Sequence, residues 1–262
     1  MTASEASRTD TCSMGLAVHE HGCGGRGAVC EALGMRIGVV GGTGPLGQGI
    51  AVRLADAGHE VVLGSRDEAR AAGIVGELRE RWGDRVAGLV PATNADAASE
   101  PVVFLATVWD AAVPTAQELA PQLDGAIVVS VANGLEKVGR QFRAILPPEG
   151  SVAAAVAAAA PGARVVAALQ HVPAASLNDL DHDASCDVLV AGDDDDARAV
   201  VLDLVDAVPG LHALDAGGLA NATGIEAFAA AMLTVNLRHK GESTLHLGGV
   251  GDRLRARTAQ ER

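Results

Sequence analysis

The sequence has no tyrosine, and Phe, Trp and Tyr together make up 2% of its 262 residues. Single-stranded nucleic acid is held on aromatic stacking platforms, so that function is disfavoured. With 48% hydrophobic residues but so few rings, the core must be built from Ala, Val and Leu. Positive charge is also short: 20 Lys and Arg stand against 33 Asp and Glu, a net charge of −13. DNA or an anionic membrane would be repelled. An anionic small molecule can bind only at a local cluster of donors. No apolar run approaches the roughly 18 residues of a membrane span; the stretch from Val152 to Ala160 is short and mostly Ala. The four cysteines, Cys12, Cys23, Cys30 and Cys186, do not form a disulfide framework, and the cytoplasm is the expected compartment.

Residues 1–34 are rich in Gly, Ser and Thr and show no sustained periodicity, so they are expected to be a disordered extension. They lack the basic start and apolar core of a signal peptide. Cys12, His19, His21, Cys23 and Cys30 fall at irregular gaps, unlike the paired spacing of zinc ligands, and no metal is expected. Regular patterning begins at Met35. Strands are expected at 36–40, 60–63, 86–90, 102–106 and 126–131, with helices at 45–57, 67–82, 94–99 and 111–123 between them. Further strands are expected at 165–169, 187–191 and 211–214, with helices at 152–160, 195–207 and 221–239. Strands alternating with helices imply a parallel sheet covered on both faces. The expected organisation is a Rossmann-type domain over 35–168, a smaller C-terminal α/β domain over 169–250, and a flexible tail over 251–262.

The segment Gly42-Thr43-Gly44-Pro45-Leu46-Gly47 fits G-x-G-x-x-G. Among 32 glycines the pattern alone is weak; its place after a strand and at a helix start strengthens it. The first Gly would permit a tight turn, the second close approach of a pyrophosphate, and the third packing of helix on strand. The helix N-terminus then offers N–H groups to the anion. At the end of the second strand an acidic residue would bond the ribose 2′-hydroxyl of NAD. Here Gly64-Ser65-Arg66 stands instead, with Arg70 one helical turn on. A hydroxyl and a guanidinium fork suit a 2′-phosphate, so NADP is the expected dinucleotide; Ser65 could equally cap the following helix. The Asp193–Asp196 run reads as a helix start rather than a cation site, and Cys186 as a small core residue.

The opening MRIGVVGGTGPLGQGIAVRLADAGHEVVLGSRDEAR resembles that of the NADPH-dependent coenzyme F420 reductases. The likeness continues through Trp109 in ATVWDAAVPTAQEL, Pro173-Ala174-Ala175, Gly192-Asp193-Asp194 and Leu214-Asp215-Ala216-Gly217 to the helix with Asn236 and Arg238. It covers about residues 35 to 250. The chain departs from the family's pattern at Val131–Leu135, where a Pro-containing loop is usual. It departs again at Gln170, where several relatives carry His, and at Gly224, often Arg. The resemblance implies hydride transfer between NADP(H) and the deazaflavin F420, with no dedicated acid–base residue. It also implies NADP contacts from Thr43 to Leu46, Ser65, Arg66, Arg70, Trp109, Asn133, Leu135 and Ala174. Gln170, His171, Pro173 and Asn221 are the residues expected on the deazaflavin side. Ala132, Gly134, Val172 and Ala174 are expected to leave room for the flat ring. The partners expected are small redox molecules, without nucleic acid or membrane, and a homodimer is a compatible assembly. The alternatives are an NADP-dependent reductase of an imine, carbonyl or ferric acceptor, or an NADPH-sensing regulator without catalysis.

Overall fold

The computed structural model describes residues 34–250. The extension before residue 34, with its candidate zinc ligands, and the tail 251–262 lie outside the described residues.

The first strand, β1 (Arg36–Val40), carries apolar residues pointing both ways, as a central strand of a parallel sheet requires. Helix α1 (Pro45–Asp56) follows, with Pro45 in its first turn. Next come β2 (Glu60–Ser65), α2 (Glu68–Trp82), β3 (Leu89–Thr93), α3 (Asn94–Ala98), β4 (Val102–Leu105), α4 (Trp109–Glu118) and β5 (Ile127–Ser130). A hairpin of β6 (Leu135–Val138) and β7 (Gln141–Ala144) intervenes before α5 (Val152–Ala159) and β8 (Arg164–Ala167). The chain closes with α6 (Ala174–Leu177), β9 (Cys186–Gly192), α7 (Asp195–Asp206), β10 (Leu211–Asp215) and α8 (Ala222–His239).

Eight strands form one sheet in the order β10-β9-β8-β5-β4-β1-β2-β3. From β3 to β8 all neighbours are parallel, and the order reverses direction between β1 and β4, the point where open α/β sheets bind ligands. β9 joins β8 antiparallel, pairing Ala191 with Ala167, and β10 runs parallel to β9. The strands after residue 169 therefore extend the first sheet across the expected domain boundary.

The sheet separates two apolar layers. One gathers Ile37, Val39, Leu63, Phe104 and Val129 against α1, α2 and α7; the other gathers Val40, Val62, Leu105 and Val128 against α3, α4 and α5. Gly38 faces the second layer, where a Cβ would stand 1.8 Å from the Ala97 carbonyl oxygen. Its absent side chain lets α3 sit directly on β1.

Several elements differ from expectation. The third strand starts at Leu89 because Gly83–Val86 forms a 3-10 turn, and α4 spans 109–118 rather than 111–123. The hairpin was not expected, because exposed Glu136, Lys137 and Arg143 hide its alternation; Gly139 makes its turn at φ +59°.

Glu226 of α8 is 1% exposed and accepts hydrogen bonds from Val152 N (2.8 Å) and Ala153 N (3.0 Å), capping α5. Burial raises its pKa, and the two N–H bonds offset part of that. A carboxyl raised in the fold contributes most stability when protonated, below its ordinary 4.5, and that contribution fades as pH climbs through the folded value. The difference in Tm between the protein and Glu226→Gln should therefore shrink with rising pH over that window. Parallel Tm–pH curves would contradict this.

Candidate active site

The loop after β1 is fastened on both sides. Gly41 N donates to Asn94 Oδ1 (3.1 Å), and Gly42 N donates to Gly64 O of β2 (2.9 Å). The tight turn belongs to Gly41, at φ +76°, one residue before the expected position. Gly42 instead provides clearance, since a Cβ there would lie 2.7 Å from Leu63 Cγ. Gly47 allows helix-to-loop contact, its hypothetical Cβ falling 2.7 Å from Gly42 Cα. Gly44 meets nothing closer than Gly41 O at 3.7 Å, so its face of the loop is open. No side chain caps α1. Thr43, Pro45 and Leu46 surround this N-terminus, whose N–H groups and positive dipole end suit a phosphate.

Because β1 and β2 are parallel, Ser65 ends its strand on the same side as the loop. Its Oγ accepts from Asp67 N (3.3 Å), while Asp67 is the residue that caps α2, through Ala69 N (3.0 Å). Ser65 thus supports the cap rather than forming it. Arg66 and Arg70 are exposed, and neither has an ion-pair partner among the described residues.

The other half of the cleft stands at the carboxyl ends of β4, β5 and β8, which are sheet neighbours. Gln170 donates through Nε2 to Ser130 O (2.9 Å), and Asn133 donates through Nδ2 to Gln170 O (2.7 Å). Two of the three departures from the family's pattern therefore touch each other. Both amides spend N–H on a carbonyl, so the atoms left over, Asn133 Oδ1 and Gln170 Oε1, are acceptors; both are buried without a partner. Ser130 Oγ and Thr107 Oγ1 are likewise buried and unpartnered. A buried polar atom left unpaired costs about 1–3 kcal/mol, and four at adjacent strand ends are groups that ordered water or a bound ligand satisfies. Leu169, just before Gln170, holds φ +69° without being glycine, a strain that concentrates at binding sites. Trp109 opens α4 half-buried, packed against the second apolar layer, and Leu135 is half-buried at the start of β6.

Thr107 and Ser130 carried no sequence signal, because neither spacing nor composition reveals an unpaired hydroxyl. Replacing Thr107 with the near-isosteric Val should leave Tm without coenzyme unchanged or higher and weaken coenzyme binding severalfold. A lower Tm with unchanged affinity would show that the hydroxyl serves the fold instead.

The segment after β8 folds back on α1. Asn178 Nδ2 donates to both Pro45 O (2.7 Å) and Ala174 O (2.7 Å), drawing Ala174 to the start of the phosphate-loop helix. Arg53, 1% exposed, donates to the carbonyls of Ser176 (2.7 Å), Leu177 (3.1 Å), His182 (2.6 Å) and Asp179. Gly49 makes room, since a Cβ there would stand 2.7 Å from Leu177 Cβ. Neither Arg53 nor Asn178 was singled out by sequence, where each reads as an ordinary polar position. Pro173 caps α6 with an extended backbone.

Some expected residues do not join the cluster. His171 Nε2 lies 2.9 Å from Asp187 O of β9. A carbonyl only accepts, so Nε2 carries the proton and the unpartnered, buried Nδ1 is an acceptor. Burial lowers the pKa of this ring and favours the neutral form. Asn221 does not join the cluster either. It follows β10, whose end points away from the ends of β1, β4, β5 and β8 because β9 runs antiparallel to β8. Its Nδ2 donates to Ala216 O (2.6 Å). Three of the four small residues expected to line a ring pocket are taken up within the fold. Ala132 and Val172 are core residues in opposite apolar layers. Gly134 makes way for Ile145 O, 2.1 Å from where its Cβ would be. Ala174 alone of the four is partly exposed.

An uncapped helix after a Gly-rich loop, free arginines beyond β2 and the strand order 3-2-1-4-5 then onward define a Rossmann-fold dinucleotide-binding protein of the oxidoreductase type. Comparison with known proteins narrows this. Residues 36–134 match the family model described as NADP oxidoreductase coenzyme F420-dependent. The chain is 35% identical over 215 residues to the F420-dependent NADP reductase of Methanocaldococcus jannaschii, covering 80% of this chain and 96% of that protein. It is 36% identical over 214 residues to the F420-dependent NADP reductase of Methanothermobacter marburgensis, covering 79% and 94%. A solved structure from Arthrobacter sp. FB24 superposes with a TM-score of 0.69 at 25% identity, over 82% of this chain and 100% of that one. The chain belongs to the family of F420-dependent NADP reductases.

Proposed function

We propose that this protein transfers a hydride between NADP(H) and coenzyme F420, an activity carried by its match along 96% of the Methanocaldococcus jannaschii F420-dependent NADP reductase. That relative's identity does not favour an imine, carbonyl or ferric acceptor, or a sensor without catalysis. The chemistry, movement of a hydride between nicotinamide C4 and deazaflavin C5, is supplied by the two coenzymes when bound. The chain's part is to bind, align and keep out water.

In this reading Gly42, Thr43, Gly44, Pro45, Leu46 and Gly47 receive the pyrophosphate, and Ser65, Arg66 and Arg70 the 2′-phosphate. Thr107, Trp109, Ser130, Asn133 and Leu135 border the nicotinamide end. The free acceptors Asn133 Oδ1 and Gln170 Oε1 call for an N–H donor, which a carboxamide or a deazaflavin ring N–H provides. Gln170, Pro173 and Ala174 face F420, with His171 behind them fixing the turn to β9. No residue is assigned to acid–base catalysis. Residues 35–168 thus serve NADP and 169–250 the second substrate, two functional halves of one sheet. Among the described residues no helix is long and apolar enough to cross a membrane; a cytoplasmic, homodimeric protein is the assembly we favour.

Mixing the protein with NADPH and F420 should bleach the oxidised deazaflavin absorbance only when all three are present. Oxidation of NADPH by an imine, carbonyl or ferric salt, with F420 inert, would overturn the proposal.

A further inference from the structure

The lysines and arginines of residues 34–250 fall into two groups. Arg36, Arg85 and Arg198 form ion pairs, Arg53, Arg79 and Arg164 donate to backbone carbonyls, and Arg81 lies over the Trp82 ring. The others are exposed and have no such partner among the described residues. They are Arg66 and Arg70 beyond β2, then Lys137, Arg140, Arg143, Arg238 and Lys240. Apart from the two arginines assigned to the 2′-phosphate, every such cation belongs to the β6–β7 hairpin or to the end of α8.

These two elements are packed together. Phe142 N of β7 donates to Thr234 Oγ1 of α8 at 2.8 Å. Lys137 stands opposite Phe142 across the hairpin, and Arg143 follows Phe142 along β7. Arg238 lies one helical turn beyond Thr234, on the same side of α8, and Lys240 ends that helix. Arg140 stands in the turn between the two strands. The carboxylates of the same stretches are Glu136, opposite Arg143 but in no ion pair among the described residues, and Glu242, whose Oε2 lies 3.5 Å from Ser176 Oγ. In a chain of net charge −13 this surface reverses the prevailing sign, and such a surface gathers anions.

Its place in the fold selects the anion. The hairpin leaves the carboxyl end of β5 directly after Asn133, at the end of the cleft away from Arg66. Between β5 and β2 lie β4 and β1, a span of about 14 Å at about 4.8 Å per strand spacing. In the proposed reading the phosphates of NADP are held at α1 and beyond β2, so they leave the second group of cations unused. The chain attached to the F420 ring bears a phosphodiester and glutamyl carboxylates, which match it in charge.

We infer that the β6–β7 hairpin and the end of α8 dock the anionic chain of F420, with Lys137, Arg143 and Arg238 as its main contacts. The inference rests on F420 as the second substrate and deepens that reading by naming the surface that distinguishes F420 from a bare deazaflavin.

The test is steady-state reduction by NADPH of F420 and of the same deazaflavin carrying only its ribityl chain. The full chain is used as wild type and as the combined variant Lys137→Gln, Arg143→Gln, Arg238→Gln, with NADPH affinity as the check on folding. The ratio of kcat/KM for F420 to kcat/KM for the truncated deazaflavin should fall about tenfold in the variant, the scale of three exposed charge contacts of modest individual strength. In the wild type, added salt should raise KM for F420 more than KM for the truncated deazaflavin. An unchanged ratio, or a salt effect equal for both deazaflavins, would overturn the dock and leave hydride transfer to F420 standing. Weakened NADPH binding with the ratio unaltered would give these cations to the dinucleotide and overturn the dock likewise. Failure of the wild type to reduce either deazaflavin would overturn the choice of second substrate, and the dock with it.

Discussion

Changing Arg66 to Glu should weaken NADPH binding by about tenfold to a hundredfold, the range that a charge-assisted contact of about 1.5–3 kcal/mol supplies. NADH binding should change little. Arg66 stands immediately beyond β2, exposed and without an ion-pair partner among the described residues, so its removal disturbs no contact in the fold. Ser65 Oγ is committed in part to Asp67 N at 3.3 Å, so the proposed assignment gives Arg66 and Arg70 the task of telling a 2′-phosphate from a 2′-hydroxyl. Fluorescence titration with both dinucleotides decides the matter: equal NADPH affinity before and after the change refutes the assignment.

Ala174→Trp should reduce kcat on the order of a hundredfold, the scale of loss that misplacement of reacting atoms brings, while preference for NADPH over NADH survives. Ala174 begins α6 partly exposed, and Asn178 Nδ2 holds its carbonyl and that of Pro45 together at 2.7 Å each. On the proposed assignment, a bulky indole there intrudes between the two coenzyme positions and leaves the 2′-phosphate ligands Ser65 and Arg66 in place. With Ala132, Gly134 and Val172 taken up by the core and the hairpin base, Ala174 is the one expected ring neighbour still available. Turnover of F420 at the parent rate by Ala174→Trp would place the ring elsewhere.

What could be read in the sequence was whatever is local along the chain. The strand, Gly-rich turn and helix from Arg36 to Asp56 are contiguous, and so are Gly64, Ser65 and Arg66; their chemistry follows from order alone. The half of the cleft assigned to the nicotinamide is assembled from three strand ends far apart in sequence. Ser130, Asn133 and Gln170 meet only through the pairing of β5 with β8. Thr107 resembles any loop threonine until its hydroxyl is found buried and unpaired. The position of Asn221 is hidden for a related reason: the apolar runs of β9 and β10 look the same whichever way the strands point. Antiparallel pairing with β8 sends their ends to the opposite side of the sheet. Arg53 shows the same gap between pattern and structure. A charged residue inside α1 reads as solvent-facing, yet it is buried on a ring of carbonyls that fixes the segment bearing Ala174.

The central claim is direct hydride passage between two coenzymes aligned by this cleft, and isotope transfer tests it most directly. The protein should be given NADPH carrying deuterium at one face of nicotinamide C4, together with oxidised F420 in ordinary water. The product F420H2 should carry the label at C5 when one face is deuterated and none when the other is. Reduced F420 whose C5 hydrogen comes from water, or label delivered from both faces alike, would contradict the account.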